Sequence, residues 1–271
     1  MKVSDQQKRL LEDDNIEQNV QNEEKPTLES TTLWDFPTQS YGRTPKGNNK
    51  FQGVTPAFII YNMMMRYTKE NDLVLDPMCG SGTTIDVGRE EGRRVIGFDI
   101  HSTRPDIIKN DSRKIPLDDN SIDMVFIDSP YGDNVNYSND PENIGNLSAE
   151  GEEFYKALEL TAKELYRVLK PGKVLGWLIG DQWVKKKFTP VGFKIYGMLT
   201  EDVKFIPMDV IAVARRNQSS NTKVWHYRAV KFNFYLRGFK YLFIMRKPDT
   251  MGTEEQRSPE ISRKTSWQRY K

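Results

Sequence analysis

The chain of 271 residues holds a single cysteine, Cys79, and two histidines, His101 and His226. One thiol excludes an intrachain disulfide and a Cys-rich zinc site, and two imidazoles leave little from which to build a metal centre, so no metal ligands are assigned. This usage suits a reducing compartment, and a cytoplasmic location is expected. Long apolar runs are missing as well. No stretch of about 18 apolar residues occurs, and the first twenty residues are polar where a signal peptide needs an apolar core, so neither membrane spanning nor secretion is expected. A large net charge is also lacking, the formal balance being +2. Its distribution is uneven: residues 1–30 carry eight acids against four bases, and residues 185–247 carry fourteen Lys and Arg against three acids.

A chain of this length buries one substantial core. Residues 1–30 have too few apolar side chains to offset the entropy of ordering and are predicted to form a mobile polar arm, with a similar tail over 248–271. Between them, residues 31–247 are predicted to form a single domain in which strands and helices alternate. Helices are expected over 54–67, opening at Thr55-Pro56, and over 83–91. A third carries Phe154, Ala157, Leu158, Thr161, Leu165 and Val168 at helical spacing until Lys170-Pro171-Gly172 stops it; a fourth opens at Thr189-Pro190. Short apolar runs at 73–75, 95–99, 122–127 and 174–179 read as strands covered on both faces, 210–214 as extended, and 241–245 as a closing strand. The pattern is that of an α/β fold, a doubly wound and mostly parallel sheet with helices on both faces.

The stretch from Asp72 to Thr84 runs a buried strand into a glycine-rich turn and then a helix, the place where such sheets bind ligands. Gly80 and Gly82 let the backbone approach a ligand, and Asp76 at the strand tip can accept from an ammonium or hydroxyl. The turn is neither the G-x-G-x-x-G fingerprint nor a Walker loop. A ligand-free βα turn would use the same residues. Asp99, about twenty residues on, ends the next strand where an acid can hold ribose hydroxyls, and Asn110-Asp111 follows in a position to accept from an adenine amino group or simply to form a turn.

Asp76-Pro77-Met78-Cys79-Gly80-Ser81-Gly82-Thr83-Thr84 resembles the cofactor motif of the amino-group DNA methyltransferases, the adenine-N6 and cytosine-N4 family. The resemblance implies a Rossmann-like fold of the class I methyltransferase type and S-adenosyl-L-methionine as cofactor. It implies that Asp76, Cys79, Gly80 and Gly82 lie against the methionine part, with Pro77, Ser81 and Thr83 in the same motif, Asp99 against the ribose and Asp111 near the adenine. Residues 51–57, with Thr55 and Pro56, resemble an additional cofactor-binding helix of that family.

A second motif, Phe126-Ile127-Asp128-Ser129-Pro130-Tyr131, ends the following strand and hence reaches the same rim. The amino group of a base is a poor nucleophile because its lone pair is delocalised into the ring. A carboxylate and a carbonyl that both accept from the NH2 group favour tetrahedral nitrogen and stabilise the charge that develops on it. Asp128 can supply the carboxylate, Ser129 or Pro130 the carbonyl, and Tyr131 a stacking face for a base flipped from its helix. The plainer reading is a strand, a Ser-Pro turn and a surface tyrosine.

Asp128-Ser129-Pro130-Tyr131 resembles the family's D/N/S-P-P-Y/F/W tetrapeptide, with Ser129 in place of the first proline, which loosens the loop. Residues 132–138 resemble a substrate loop of some adenine-modifying members, and further matches at 167–172, 180–181 and 241–247 extend the resemblance over 51–247. The cofactor motif precedes the catalytic one, which excludes the permuted branch. No long insert is available for target recognition, so the basic, aromatic stretch 185–237 or a protein partner must serve.

The resemblance implies a site-specific DNA methyltransferase of the restriction-modification kind that transfers the methyl directly, Cys79 being a packing or cofactor-contact residue. Asp128 tilts the acceptor toward adenine N6 over cytosine N4. An RNA guanine-N2 methyltransferase is less favoured, because residues 1–50 are too short and polar for the RNA-binding domain such enzymes carry. A non-catalytic nucleic-acid-binding subunit is disfavoured by the presence of Gly80, Gly82 and Asp128.

Overall fold

The computed structural model describes residues 25–48, 53–132, 140–184, 186–216 and 222–249. Its centre is a seven-residue strand, Ile122–Asp128, of which the first six residues are buried. Val125 and Ile127 point into one hydrophobic cluster and Met124 and Phe126 into another, as period-2 alternation requires of a strand covered on both faces. The one charge inside this ribbon, Asp123, accepts from the Leu73 amide at 3.0 Å and pairs with Lys170 at 2.8 Å. Burial works against its charged form, but these bonds outweigh it and hold the carboxyl below its ordinary pKa.

In chain order the strands are β1 (Leu33–Trp34), β2 (Leu73–Asp76), β3 (Arg94–Asp99), β4 (Ile107–Lys109), β5 (Ile122–Asp128), β6 (Leu169–Ile179), β7 (Gln182–Val184), β8 (Lys187–Thr189), β9 (Ile206–Ala214) and β10 (Phe239–Arg246). The helices are α1 (Ala57–Tyr67), α2 (Thr83–Glu90), α3 (Glu152–Val168), α4 (Val191–Gly197) and α5 (Lys223–Lys231). Eight strands form one sheet in the order β1-β9-β10-β6-β5-β2-β3-β4, and β7 and β8 form a separate hairpin. Strands β4, β3, β2, β5 and β6 pair in parallel, while β10 runs antiparallel to both β6 and β9.

The sheet is therefore doubly wound and mostly parallel, the Rossmann-like arrangement that the resemblance implies. Strand order reverses between β2 and β5, so a crevice opens beyond their carboxyl ends. Helix α3 and α4 cover one face, with Phe154, Leu158, Leu165 and Ile195 packed around Trp177. Helix α1 covers the other, with Ile59, Ile60, Met63 and Met64 against Phe126 and Leu178.

Several boundaries differ from the sequence reading, each for a physical reason. Pro56 stands just outside α1, with φ −57° and ψ 127°, because its extended ψ cannot continue a helix. Helix α3 ends at Val168 and β6 begins at the next residue; Lys170-Pro171-Gly172 forms a bulge inside β6, between the pairs Ile122–Leu169 and Met124–Val174. Gly172 takes φ +73° there, which a residue with a Cβ rarely adopts. Residues 25–30, expected within the mobile arm, are tied down. Lys25 pairs with Glu91 at 2.7 Å, and the Glu29 amide donates to Oδ1 of the fully buried Asn62 at 2.7 Å. The rest of the arm and residues 250–271 lie outside the described residues, as do 133–138 of the expected substrate loop.

Helix α2 lies on the sheet through Gly88, where an added Cβ would collide with Cγ2 of Val95. Gly88→Val should lower unfolding stability by about 1–3 kcal/mol through overpacking, read from urea denaturation. An unchanged midpoint would mean that α2 does not seat against β3.

Candidate active site

The turn after β2 is stitched together by its own backbone. Gly82 N–H donates to the Cys79 carbonyl at 2.8 Å, and Cys79 N–H to the Phe98 carbonyl of β3 at 2.8 Å. Gly80 and Gly82 take φ +52° and +84°, left-handed values suited to glycine, and Gly82 caps α2. The Gly80 amide donates to Oδ2 of Asp99 at 2.8 Å, and the His101 amide to Oδ1 at 2.9 Å. Burial raises the pKa of Asp99, and these two bonds only partly oppose the rise.

Asp76 is buried at the tip of β2. Its oxygens accept from the Thr84 hydroxyl at 2.5 Å and the Met78 amide at 3.1 Å, donors that carry no full charge. Burial is the largest influence and lifts its pKa from 3.8 to about 7, with Asp99 and Asp128 adding to the rise. Such a group is a ready acceptor for a cation entering the cleft.

Asp128 ends β5 in a different setting. Lys240, the second residue of β10, donates from Nζ to Oδ1 at 2.7 Å and to Oδ2 at 2.9 Å, and the Thr55 hydroxyl donates to Oδ2 at 2.7 Å. The next residue, Ser129, turns into the core, where its Oγ accepts from the buried Trp177 indole at 2.9 Å. The serine that departs from the family tetrapeptide thus partners an indole N–H that burial would otherwise leave unmatched. The Tyr131 hydroxyl accepts from Arg215 at 2.9 Å, and Lys240 Nζ lies 5.5 Å from the ring centroid.

Thr55, Asp76, Pro77, Cys79, Gly80, Ser81, Thr83, Asp99, Asp111, Asp128 and Pro130 all line one cleft that opens to solvent. Pro56, Gly82, Ser129 and Tyr131 do not line it: Pro56 precedes α1, Gly82 packs beneath the Arg104 guanidinium, Ser129 faces the core, and Tyr131 stands beside Asp128 across Lys240. Asp111 is held by Arg113 at 2.7 Å, and Arg113 also pairs with Glu142 at 2.6 Å. Burial opposes ionisation of Asp111, but the guanidinium outweighs it and leaves the carboxyl below its ordinary range.

Sequence reasoning missed Lys240 and the cleft-lining His101, Glu142 and Asn143. Lys240 lies 112 residues from Asp128 on a strand whose periodicity gives no sign of the partnership. The other three sit in loops where no local pattern marks them.

The raised pKa of Asp76 fixes the sign of a stability effect. A carboxyl protonated more readily in the folded than in the unfolded chain contributes stability that is present in full below about pH 3.8 and is lost as pH rises through about 7. Asp76→Asn should therefore raise the melting temperature of the ligand-free protein at pH 8, with the gain shrinking toward pH 4. A pH-independent difference would contradict the burial assigned to this carboxylate.

Two motif loops on one rim invite comparison with known proteins. The model of the N6 and N4 methyltransferases, described as DNA methylase, matches residues 2–110 and 122–269. Shorter stretches resemble type II methyltransferases. M.HinfI of Haemophilus influenzae is 32% identical over 73 residues, 27% of this chain and 20% of that protein. M2.LlaDCHI of Lactococcus lactis subsp. cremoris is 40% identical over 57 residues, 21% of each chain. The matched stretches thus span about a fifth of these relatives. A solved structure of a putative DNA modification methylase from Thermus thermophilus, complexed with S-adenosyl-L-methionine, aligns with 54% of this chain and 57% of its own at 19% identity and a TM-score of 0.37. With the family match running through both motif loops and nearly from end to end, the chain belongs to the N6/N4 DNA methylase family.

Proposed function

We propose that this protein methylates the exocyclic amino group of a base in DNA, adenine N6 in preference to cytosine N4, with S-adenosyl-L-methionine as donor. The observation that carries this reading is that the Asp76–Thr83 loop and Asp128 open on one cleft. When bound, the donor supplies an electrophilic methyl group on a sulfonium. The residues present suit it. Asp76 lacks a cationic hydrogen-bond partner among the described residues and matches an ammonium; Asp99, already fixed by two amides, matches hydroxyls; and the glycine turn leaves room for close approach.

On the acceptor side, Asp128 accepts a hydrogen bond from the base NH2 and a carbonyl of Ser129 or Pro130 accepts the second. Together they pull the nitrogen toward tetrahedral geometry and stabilise its growing positive charge. Tyr131 offers the face on which the flipped base stacks. Cys79 is buried, and burial raises its thiol well above the ordinary pKa, which suits a packing role and direct transfer rather than a thiolate attack.

The polymer is read from the surface beyond the cleft. Within 185–237, α4 and β9 build the core through Val191, Ile195, Ile211 and Val213. Met198, Leu199, Val203 and Phe205 belong to it as well, whereas residues 222–237 include no buried residue. Helix α5 buries no side chain, and Trp225, Tyr227, Phe232 and Tyr235 are exposed, with Arg228 over Trp225 and Lys231 over Tyr227. Cations interleaved with exposed aromatic rings suit phosphate neutralisation and base stacking. The type II relatives fit a modification role of this kind. No helix among the described residues is long and apolar enough to cross a membrane.

Incubation with labelled S-adenosyl-L-methionine and either DNA or RNA, followed by digestion and nucleoside identification, tests the reading. N6-methyladenine in DNA is expected; N4-methylcytosine would move the acceptor, and N2-methylguanine in RNA would move the polymer. Asp128→Ala should slow methyl transfer by about 100- to 1000-fold or more, with cofactor binding by calorimetry retained. Loss of cofactor binding in that variant would reassign Asp128 to the donor side.

A further inference from the structure

Lys240 belongs to neither motif, yet it completes the rim. Because β10 runs antiparallel to β6, its first residues return to the edge where β5 ends. Lys240 follows Phe239 there; its Cγ and the Tyr131 ring both lie within 3.7 Å of the point where a Cβ on Gly180 would stand. The side chain is 16% exposed, and its ammonium sits on the Asp128 carboxylate at 2.7 and 2.9 Å. An ammonium carries three N–H groups. Two serve Asp128, and the head is 5.5 Å from the centroid of Tyr131, the ring assigned to stack the base.

A base amino group never stands alone on its edge. In adenine and in cytosine the NH2 is bonded to a carbon whose neighbouring ring nitrogen carries an in-plane lone pair, so the edge presents a donor beside an acceptor. Asp128 and Lys240 present the complement, an acceptor beside a donor, with Nζ 2.7 Å from Oδ1. We propose that Lys240 is a specificity-determining residue that donates to the ring nitrogen next to the target amine, N1 of adenine or N3 of cytosine, while Asp128 accepts from the amine itself. This rests on the base-methylation reading above and adds to it a rule for which bases are accepted. Thymine and uracil reverse the order at this edge, setting a carbonyl lone pair against the carboxylate and an N–H against the ammonium, and the mismatch against two partly buried charged groups rejects them. Tyr131 stacks any base and supplies no such discrimination.

The test is single-turnover methylation by wild type and Lys240→Met on oligonucleotides carrying either the acceptor base or its deaza analogue, 1-deazaadenine or 3-deazacytosine according to the base found in wild-type product. Removal of the ring nitrogen should slow wild type by roughly 10- to 100-fold, the worth of a charged hydrogen bond. Lys240→Met should already be slower on the natural base and be indifferent to the analogue, and Lys240→Arg should keep the discrimination. Unchanged cofactor affinity reports that each variant is folded; where Lys240→Met loses it, Lys240→Gln, a neutral donor, takes its place and should show a reduced deaza effect. An equal deaza effect in wild type and the Met or Gln variant, or no effect in wild type, overturns the assignment of Lys240. A wild-type protein that methylates no base at all overturns the underlying reading, a separate outcome.

Discussion

Three neighbouring strands of the sheet, β2, β3 and β5, each end in an aspartate, and parallel pairing delivers Asp76, Asp99 and Asp128 to one rim. Carboxylates gathered on one rim and partly withdrawn from solvent repel one another and lose solvation, so each has to find compensation. The three do so differently. Asp128 takes the ammonium of Lys240 and the hydroxyl of Thr55. Asp99 takes two backbone amides and remains raised. Asp76 takes only a hydroxyl and an amide, which leaves a carboxyl that titrates near neutral pH. The least compensated of the three sits deepest, and it is the one assigned to receive a positive charge from outside.

The fold supplies this arrangement through close approach of backbone to backbone. Gly97 in β3 leaves space for Cys79 and Ile85, since a Cβ there would stand 2.8 Å from Sγ and 2.7 Å from Cδ1. The turn can therefore lie flat on β3 and reach Asp99 with the Gly80 amide. From the other side, Gly47 comes so near Ser81 and Thr83 that a side chain would strike both hydroxyls, and its amide donates to Asp86 at 2.8 Å. Arg104 also grips Asp86, at 2.8 Å, so the first turn of α2 is held from two directions. A loop fixed in this way carries a ligand site at little cost in ordering entropy when the ligand arrives.

What was legible in the sequence is what is local. A strand, a glycine turn and a helix are contiguous, so the Asp76–Thr83 loop and its partner Asp99 were readable from spacing, and period-2 and helical patterns gave the parallel half of the sheet. Contacts made across long separations were not. The direction of β10 is set by which strands it joins, β6 and β9, and no alternation of apolar residues encodes it. Lys240 follows from that direction and was invisible for the same reason. Ser129 looked like a loosening of the tetrapeptide, because the indole it satisfies lies 48 residues away. Residues 25–30 read as part of a polar arm because their anchors, Asn62 and Glu91, are polar too; hydropathy sees only apolar burial.

Charge placement ties the cleft to the surface around it. The net charge of +2 conceals three strand-end acids on one rim and, over residues 185–247, fourteen Lys and Arg against three acids. Of the three strand-end acids, Asp76 is buried and Asp128, beside Tyr131, is already paired with Lys240. Arg215 meets Tyr131, and Arg237 lies over Trp183 and Phe188 of the β7–β8 hairpin. On the proposed reading, guanidinium and ammonium groups would meet the phosphates while an uncharged base, once unstacked, passes inward to the Asp128 carboxylate. Under that proposal, the acids at the strand ends answer to the cationic donor and the exposed cations to the anionic polymer, so that the two substrates place no conflicting demand on one surface.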